Sequence, residues 1–181
     1  MSAGHGHIDP SNKKIALLIA VLALVLAFSE TLGKAAQTSA LSLNIEASNL
    51  WAFFQAKTIR QTVLRTAAEQ TALGGGNEEA KKQIEAWRKT AQRYQSEPET
   101  GEGRDELIAR AKEAERKRDR AMAAYHQYEL ASAAVQIAIV LASAAIVTGA
   151  MVLAWIGAGL GVVGIAFCLI GFLAPTAVHL F

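Results

Sequence analysis

Apolar positions fall into three long runs, with one block of polar positions between the first run and the second. Residues 15–28 are apolar throughout, and the run extends through Ser29, Glu30, Thr31, Leu32 and Gly33. At ~1.5 Å per residue, about 19 residues cross the ~30 Å hydrocarbon core of a bilayer. Residues 131–156 form the second run, interrupted only by Gln136 and small hydroxyls. Residues 157–174 form the third, with Pro175 at its end and an apolar tail to Phe181. The second and third runs abut, and their combined length is about that of two spans. Trp155 suits a membrane interface and Gly157 and Gly159 suit a turn, so the reversal is expected between residues 155 and 159.

The polar block reads as helix. After Gly33 no glycine or proline occurs until Gly74, Gly75 and Gly76, so one helix is expected from about Lys13 to Leu73. A second helix, residues 77–97, opens on Asn77 as N-cap with Glu78 and Glu79 in its first turn. Ala80, Ile84, Trp87, Ala91 and Tyr94 follow a 4-3-4-3 heptad step. Pro98, Gly101 and Gly103 break it. A third helix starts near Arg104 and repeats the step at Leu107, Ala111, Ala114, Arg118, Ala121, Tyr125 and Tyr128. It enters the second apolar run without a breaker. By helical rise, residues 34–73 climb ~60 Å, and residues 77–97 and 104–130 return ~31 and ~40 Å in series. Phe53 and Phe54 should then stand level with Tyr94.

The reading is all-α: an integral membrane protein with three transmembrane helices and a long antiparallel, coiled-coil-like helical stalk between spans 1 and 2. Its segments are a disordered tail (1–12), span 1 (13–33), the stalk (34–130), span 2 (131–156) and span 3 with the C-terminus (157–181). A cleaved signal peptide is the rival reading of Lys13, Lys14 and the run after them. No small-x-small cleavage site follows promptly, and the helical pattern continues.

Charge sharpens this division. Residues 34–129 carry 30 of the 34 charged side chains, and the rest of the chain carries only Asp9, Lys13, Lys14 and Glu30. A soluble enzyme spreads charge along its length, because every surface helix needs a polar face. The net charge of +2 adds nothing, and the single cysteine excludes an intrachain disulfide.

The segment NIEASNLWAFFQAKTIRQ, residues 44–61, resembles the hallmark of domain-of-unknown-function family 4337, small bacterial membrane proteins. The layout is similar too: a span before the segment, a charged helical middle and two closing spans. The resemblance covers essentially the whole chain. It implies a bacterial, three-span protein of the inner membrane and brings no activity with it.

No phosphate loop, nucleophile elbow, zincin motif or cysteine pair appears, and no carboxylate pair stands out from the solvated helical pattern. No catalytic residue, metal site or cofactor is therefore nominated. His5, His7 and Asp9 have metal-ligand chemistry but lie in a glycine-flanked tail.

Contact residues are easier to name. Trp51, Phe53 and Phe54 occupy two stripes of the first helix, which suggests packing against a neighbouring chain, with Trp87 and Tyr94 on the second helix joining them. The bland alternative is that they fill the stalk. Ala138, Ala142, Gly149, Gly157 and Gly161 give the close backbone approach that holds helices together in lipid, within one chain or between chains. Glu30 lies near the end of the first span, with Lys34 one turn on for an i,i+4 pair. The sharper reading is a ring of Glu30 carboxylates lining a cation path. Lys57, Arg60 and the run Arg116, Lys117, Arg118 and Arg120 are candidate lipid or polyanion contacts. Interleaved Glu113, Glu115 and Asp119 favour an ordinary solvated face instead, and specific nucleic-acid recognition has little support.

The expected partners are the lipid bilayer, further copies of the chain and, as an alternative, another membrane protein. The first functional expectation is a non-enzymatic, self-associating membrane scaffold. The second is a homo-oligomeric channel or transporter component with Glu30 near the pore mouth, and the third an accessory subunit of another complex. Basic residues flank both ends of the first span, so orientation is weakly determined. The count favours a cytoplasmic stalk and leaves a periplasmic one open.

Overall fold

The structure is a computed structural model and describes residues 10–75 and 77–177. The described residues form four helices and no strand: α1 (Pro10–Leu73), α2 (Glu78–Gln95), α3 (Arg104–Thr148) and α4 (Met151–Leu173). Three of them, α1, α3 and α4, are long and apolar enough to cross a membrane. His5, His7 and Asp9 of the N-terminal tail, and His179, lie outside the described residues.

Local signals explain the helix ends. Pro10 begins α1, where its missing N–H costs nothing. Gly75 takes a left-handed φ of 68° after the last turn of α1. The Asn77 side chain accepts the Ala80 N–H at 2.9 Å, capping α2 as expected.

The reversal between the last two helices falls at Gly149 and Ala150, not between residues 155 and 159. Gly149 adopts a φ of 72° and donates its N–H to the Ala145 carbonyl at 3.0 Å. α4 therefore starts six residues before the expected third span, and Trp155 lies inside it. Gly157 cannot be the turn because its missing side chain is needed for packing. A Cβ there would stand 2.8 Å from the Ala138 carbonyl oxygen.

The chain divides into two compact units. Unit 1 comprises residues 1–40 and 119–181. Its interior is built from small side chains: Ala138, Ala142 and Ala145 are buried, as are Gly157, Gly161, Gly164 and Gly171. Leu22 packs with Val135 and Ala138, and Ile15 with Ala142, Ala145 and Ala154. The large apolar side chains face outward instead, among them Leu24, Phe28, Val140, Trp155 and Phe172. Unit 2, residues 41–118, has a core of Ala47, Leu50, Leu107, Ala111 and Ala114.

In both units the buried face of α1 follows the heptad step. Ile15, Leu22, Ser29, Gly33 and Ala40 are its buried positions in unit 1, and Ala47, Leu50, Lys57, Gln61 and Ala68 those in unit 2. Such spacing keeps one seam facing its partners along a long helix. On α2 the heptad positions Ile84 and Ala91 are buried and Trp87 and Tyr94 half-buried. Within unit 2, contacts of α1 pair with α2 and α3 in opposite sequence order. Asn44 meets Arg118, Trp51 meets Glu115 and Thr58 meets Arg104, while Lys57 reaches Tyr94 and Gln61 reaches Ala91.

Candidate functional site

The densest polar chemistry among the described residues lies in unit 2, where the 96–103 loop joins α2 to α3. Two seam positions of α1 there are polar: Lys57, whose side chain is 7% exposed, and Gln61. A buried ammonium is tolerated only with compensating partners. Lys57 has four. Its Nζ lies 5.4 Å from the Phe53 ring centroid and 5.1 Å from that of Tyr94. Its carboxylate partners are Glu97 at 3.7 Å and Glu102 at 3.8 Å. Both belong to the connecting loop, so Lys57 ties the loop to α1.

Arg104 opens α3 and makes a parallel set of contacts. Its guanidinium stacks over Phe54 at 5.0 Å. Its Nε donates to Thr58 Oγ1 at 2.9 Å, and Nη1 donates to Gln61 Oε1 at 2.6 Å and Gln95 Oε1 at 2.9 Å. Gln61 then donates to the Ala91 carbonyl at 2.8 Å, and Gln95 to Asp105 at 2.8 Å. One network thus joins α1, α2 and α3.

The loop is locked from inside. The Glu106 carboxylate accepts the Ser96 hydroxyl at 2.7 Å and the Glu97 N–H at 3.2 Å. The Ser96 hydrogen bond is the main reason that its pKa lies below the usual glutamate value, with the backbone N–H groups of Glu106 and Glu97 adding to it against a burial effect of opposite sign. Gly103 is buried, and a Cβ there would run into the Glu106 carboxylate and the backbone of Ser96 and Glu97.

This arrangement changes the reading of several residues. Lys57 is enclosed, so it is not presented to an external polyanion; Phe53 holds it from one turn away on α1, and Tyr94, Glu97 and Glu102 come from α2 and the loop beyond it. Trp51, Phe53 and Phe54 pack on the unit 2 core within the same chain. Trp51 meets Phe54 edge-on at 5.6 Å and donates its Nε1–H to Glu115 at 2.9 Å. Three helices meet at this cluster, so both aromatic stripes of α1 pack within unit 2 rather than requiring a neighbouring chain. Arg104, Gln61, Gln95, Glu97, Glu102 and Glu106 escaped nomination. Their signal was the 3-4 step through Leu50, Phe54, Lys57, Gln61 and Leu64, which puts two polar residues on the buried seam.

The remaining nominated residues are spread over both units. Arg60 and Arg120 are exposed. Arg116 and Lys117 pair with Glu113, and Arg118 donates to Asn44 at 3.3 Å, so most of the basic run is matched by nearby polar groups. In unit 1, Ala138 and Ala142 pack against Gly157, and Gly161 receives Leu22, all within the chain. Glu30 is exposed and accepts the Gln136 side-chain amide at 3.2 Å; no ion pair joins it to Lys34 among the described residues.

Among the described residues the chain is all-α, and three of its four helices are long and apolar enough to cross a membrane. A family model described as a domain of unknown function, DUF4337, matches residues 11–174. The chain belongs to that family. No curated protein and no solved structure matches it.

Proposed function

We propose that the chain is a non-enzymatic scaffold of the bacterial inner membrane, multi-pass, whose unit 2 forms an antiparallel helical stalk and self-associates. The observation that carries this reading is an apolar stripe that the described residues leave exposed. Leu41, Ile45, Ile59 and Val63 are exposed on α1, Ile59 by 64%. Leu41 to Ile59 and Ile45 to Val63 are both 18-residue steps, five turns of helix, so the four share one face. They lie outside the most apolar part of α1, where water is the alternative to a protein partner. Large exposed apolar surface of this kind marks association sites. A second copy is the natural occupant, because its own stripe presents the same spacing and a two-fold contact is self-complementary. The opposite sequence order of the α1 contacts with α2 and α3 supports the stalk, and the outward-facing apolar residues of unit 1 support the bilayer.

The test is the mass of the gently extracted complex. The unaltered chain should be oligomeric, and Ile45→Asp with Ile59→Asp should reduce it to a monomer of unchanged helicity. A monomeric unaltered chain sinks the scaffold and leaves an accessory subunit of another complex.

A second reading, a homo-oligomeric channel or transporter component, is favoured by one contact. The Glu30 carboxylate and the Gln136 amide place polar groups on the outside of an apolar unit. In lipid such groups seek a protein or water-lined environment. Glu30→Gln should leave assembly intact in either case. Altered cation flux in liposomes supports the pore, and unchanged flux removes it.

A further inference from the structure

We propose that unit 1 carries a binding site for an anionic phospholipid at the end of the apolar helices where α1 begins and α3 turns into α4. The proposal rests on the reading that unit 1 lies in a bilayer, and adds to it a particular lipid class at a particular place. An open groove of about 460 Å³ runs between the start of α1 and the start of α4. Ile15 and Leu18 line it from one helix, and Met151, Ala154 and Trp155 from the other. Every lining residue is apolar except one, Lys14, which is exposed.

That combination fits an amphiphile with an anionic head. An acyl chain fills an apolar groove, and the ammonium of Lys14 meets the phosphate. Lys14 forms no ion pair among the described residues, so its charge has no acid to neutralise it there. Lys13 is the next residue and is also exposed, but it does not line the groove. The opposite rim is the first turn of α4, whose N-cap Ala150 supplies no side-chain hydrogen bond. The positive end of the α4 dipole adds to the potential at that rim. Trp155, 75% exposed, borders the groove. Its amphipathic ring suits the headgroup level, and its fluorescence reports on the occupant.

The experiment uses the full chain reconstituted in mixed vesicles, with bromine on the acyl chains of one lipid at a time. Brominated phosphatidylglycerol in a phosphatidylcholine background is compared with brominated phosphatidylcholine in a phosphatidylglycerol background. The Trp155 signal is the part of the quenching that Trp155→Phe removes. Brominated phosphatidylglycerol should quench Trp155 about fivefold more effectively at equal mole fraction, the effect of one lysine near a headgroup. Lys14→Gln should abolish that preference, and Lys13→Gln should keep most of it. Equal quenching by both lipids overturns the anionic site and leaves unit 1 in the bilayer. Equal losses in Lys13→Gln and Lys14→Gln also overturn it, because a general surface potential then accounts for the preference. No quenching of Trp155 by either lipid overturns the bilayer reading itself.

Discussion

One helix, α1, packs by the same heptad step in both units, but the two seams are filled with opposite chemistry. In unit 1 the seam is Ile15, Leu22, Ser29, Gly33 and Ala40, and its neighbours include Ala138, Ala142, Ala145, Ala154 and Gly161 beside Val135 and Tyr128. In unit 2 it includes Lys57 and Gln61, whose polar atoms enter a network across three helices. Where the surroundings are apolar, helices gain nothing by hiding leucines from water, so close contact between small residues holds them together. Where water surrounds the helices, aromatic and aliphatic burial supplies the driving force, and a polar group can join the core if it is fully bonded. On the bilayer reading proposed for unit 1, spacing sets which face is buried, and the medium sets what that face is made of.

The largest expected effect comes from breaking the close contact in unit 1. Gly157→Leu places a side chain against the Ala138 carbonyl and the Ala142 backbone, so α3 and α4 must separate. A cost of about 3 kcal/mol is expected, at the upper end for overpacking. Gly159→Leu is the matched control, because no atom lies within 4 Å of a Cβ there. Thermal unfolding in detergent should separate the two variants clearly; similar midpoints would mean that α3 and α4 are not held by that glycine.

The corresponding break in unit 2 is Lys57→Ala. It removes the cation from two rings and two carboxylates, at a cost of about 2–3 kcal/mol. Lys57→Met keeps the bulk and offers sulfur to the rings, and should recover at least half of that loss. If Met is as damaging as Ala, charge rather than volume holds the junction. Arg104→Lys comes next. A lysine cannot reproduce the simultaneous bonds to Thr58, Gln61 and Gln95, and about 1–2 kcal/mol should be lost in chemical denaturation.

Ser29→Ala sharpens the contrast from the other side. The Ser29 side chain is wholly buried, and its Oγ has no hydrogen-bond partner among the described residues. Thr31 and Ser143, also in apolar stretches, return their hydroxyls to the carbonyls of Ala27 and Ile139. An unsatisfied hydroxyl on a small-residue seam is a cost, so its removal should raise stability by about 1 kcal/mol. A loss on substitution would show that the hydroxyl has a partner from another molecule.

Much of this was legible in the residue pattern. The glycines after Leu73, the Asn77 cap and the start of α3 at Arg104 are local signals, and each marks a helix end in the structure. The 4-3 steps through Ile84 and Ala91 and through Leu107, Ala111 and Ala114 mark the buried faces. The turn before α4 was not legible, because a glycine count does not say which glycine turns the chain. Gly149 turns it by adopting a positive φ, whereas Gly157 and Gly161 make room for Ala138 and Leu22. The polar junction was hidden for another reason. A lysine on a charged helix reads as solvated until the groups that enclose it are known, and all but Phe53 come from α2 and the loop beyond it.

The smallest expected effect concerns that loop and follows from Glu106. Its pKa is depressed below an ordinary value near 4.5, chiefly by the Ser96 hydroxyl and also by the backbone N–H groups of Glu106 and Glu97. These bonds favour the ionised form, so in the unfolded chain, where they are absent, the group binds its proton more readily. The stabilisation is therefore complete above the unfolded value and is lost as pH falls through the lower folded value. Between neutral pH and about pH 5 hydrogen exchange at the Glu97 amide should be slow once corrected for intrinsic rate, and protection should fall below pH 4. Glu106→Gln should weaken protection at neutral pH and flatten this dependence. Ser96→Ala supplies the discriminating case, because the Ser96 hydroxyl is the chief cause of the depressed Glu106 pKa. If the acid-side loss of protection belongs to Glu106, removing the Ser96 hydroxyl shifts its midpoint upward toward the ordinary glutamate range. An unmoved midpoint means that Glu106 is not the group whose protonation releases the loop.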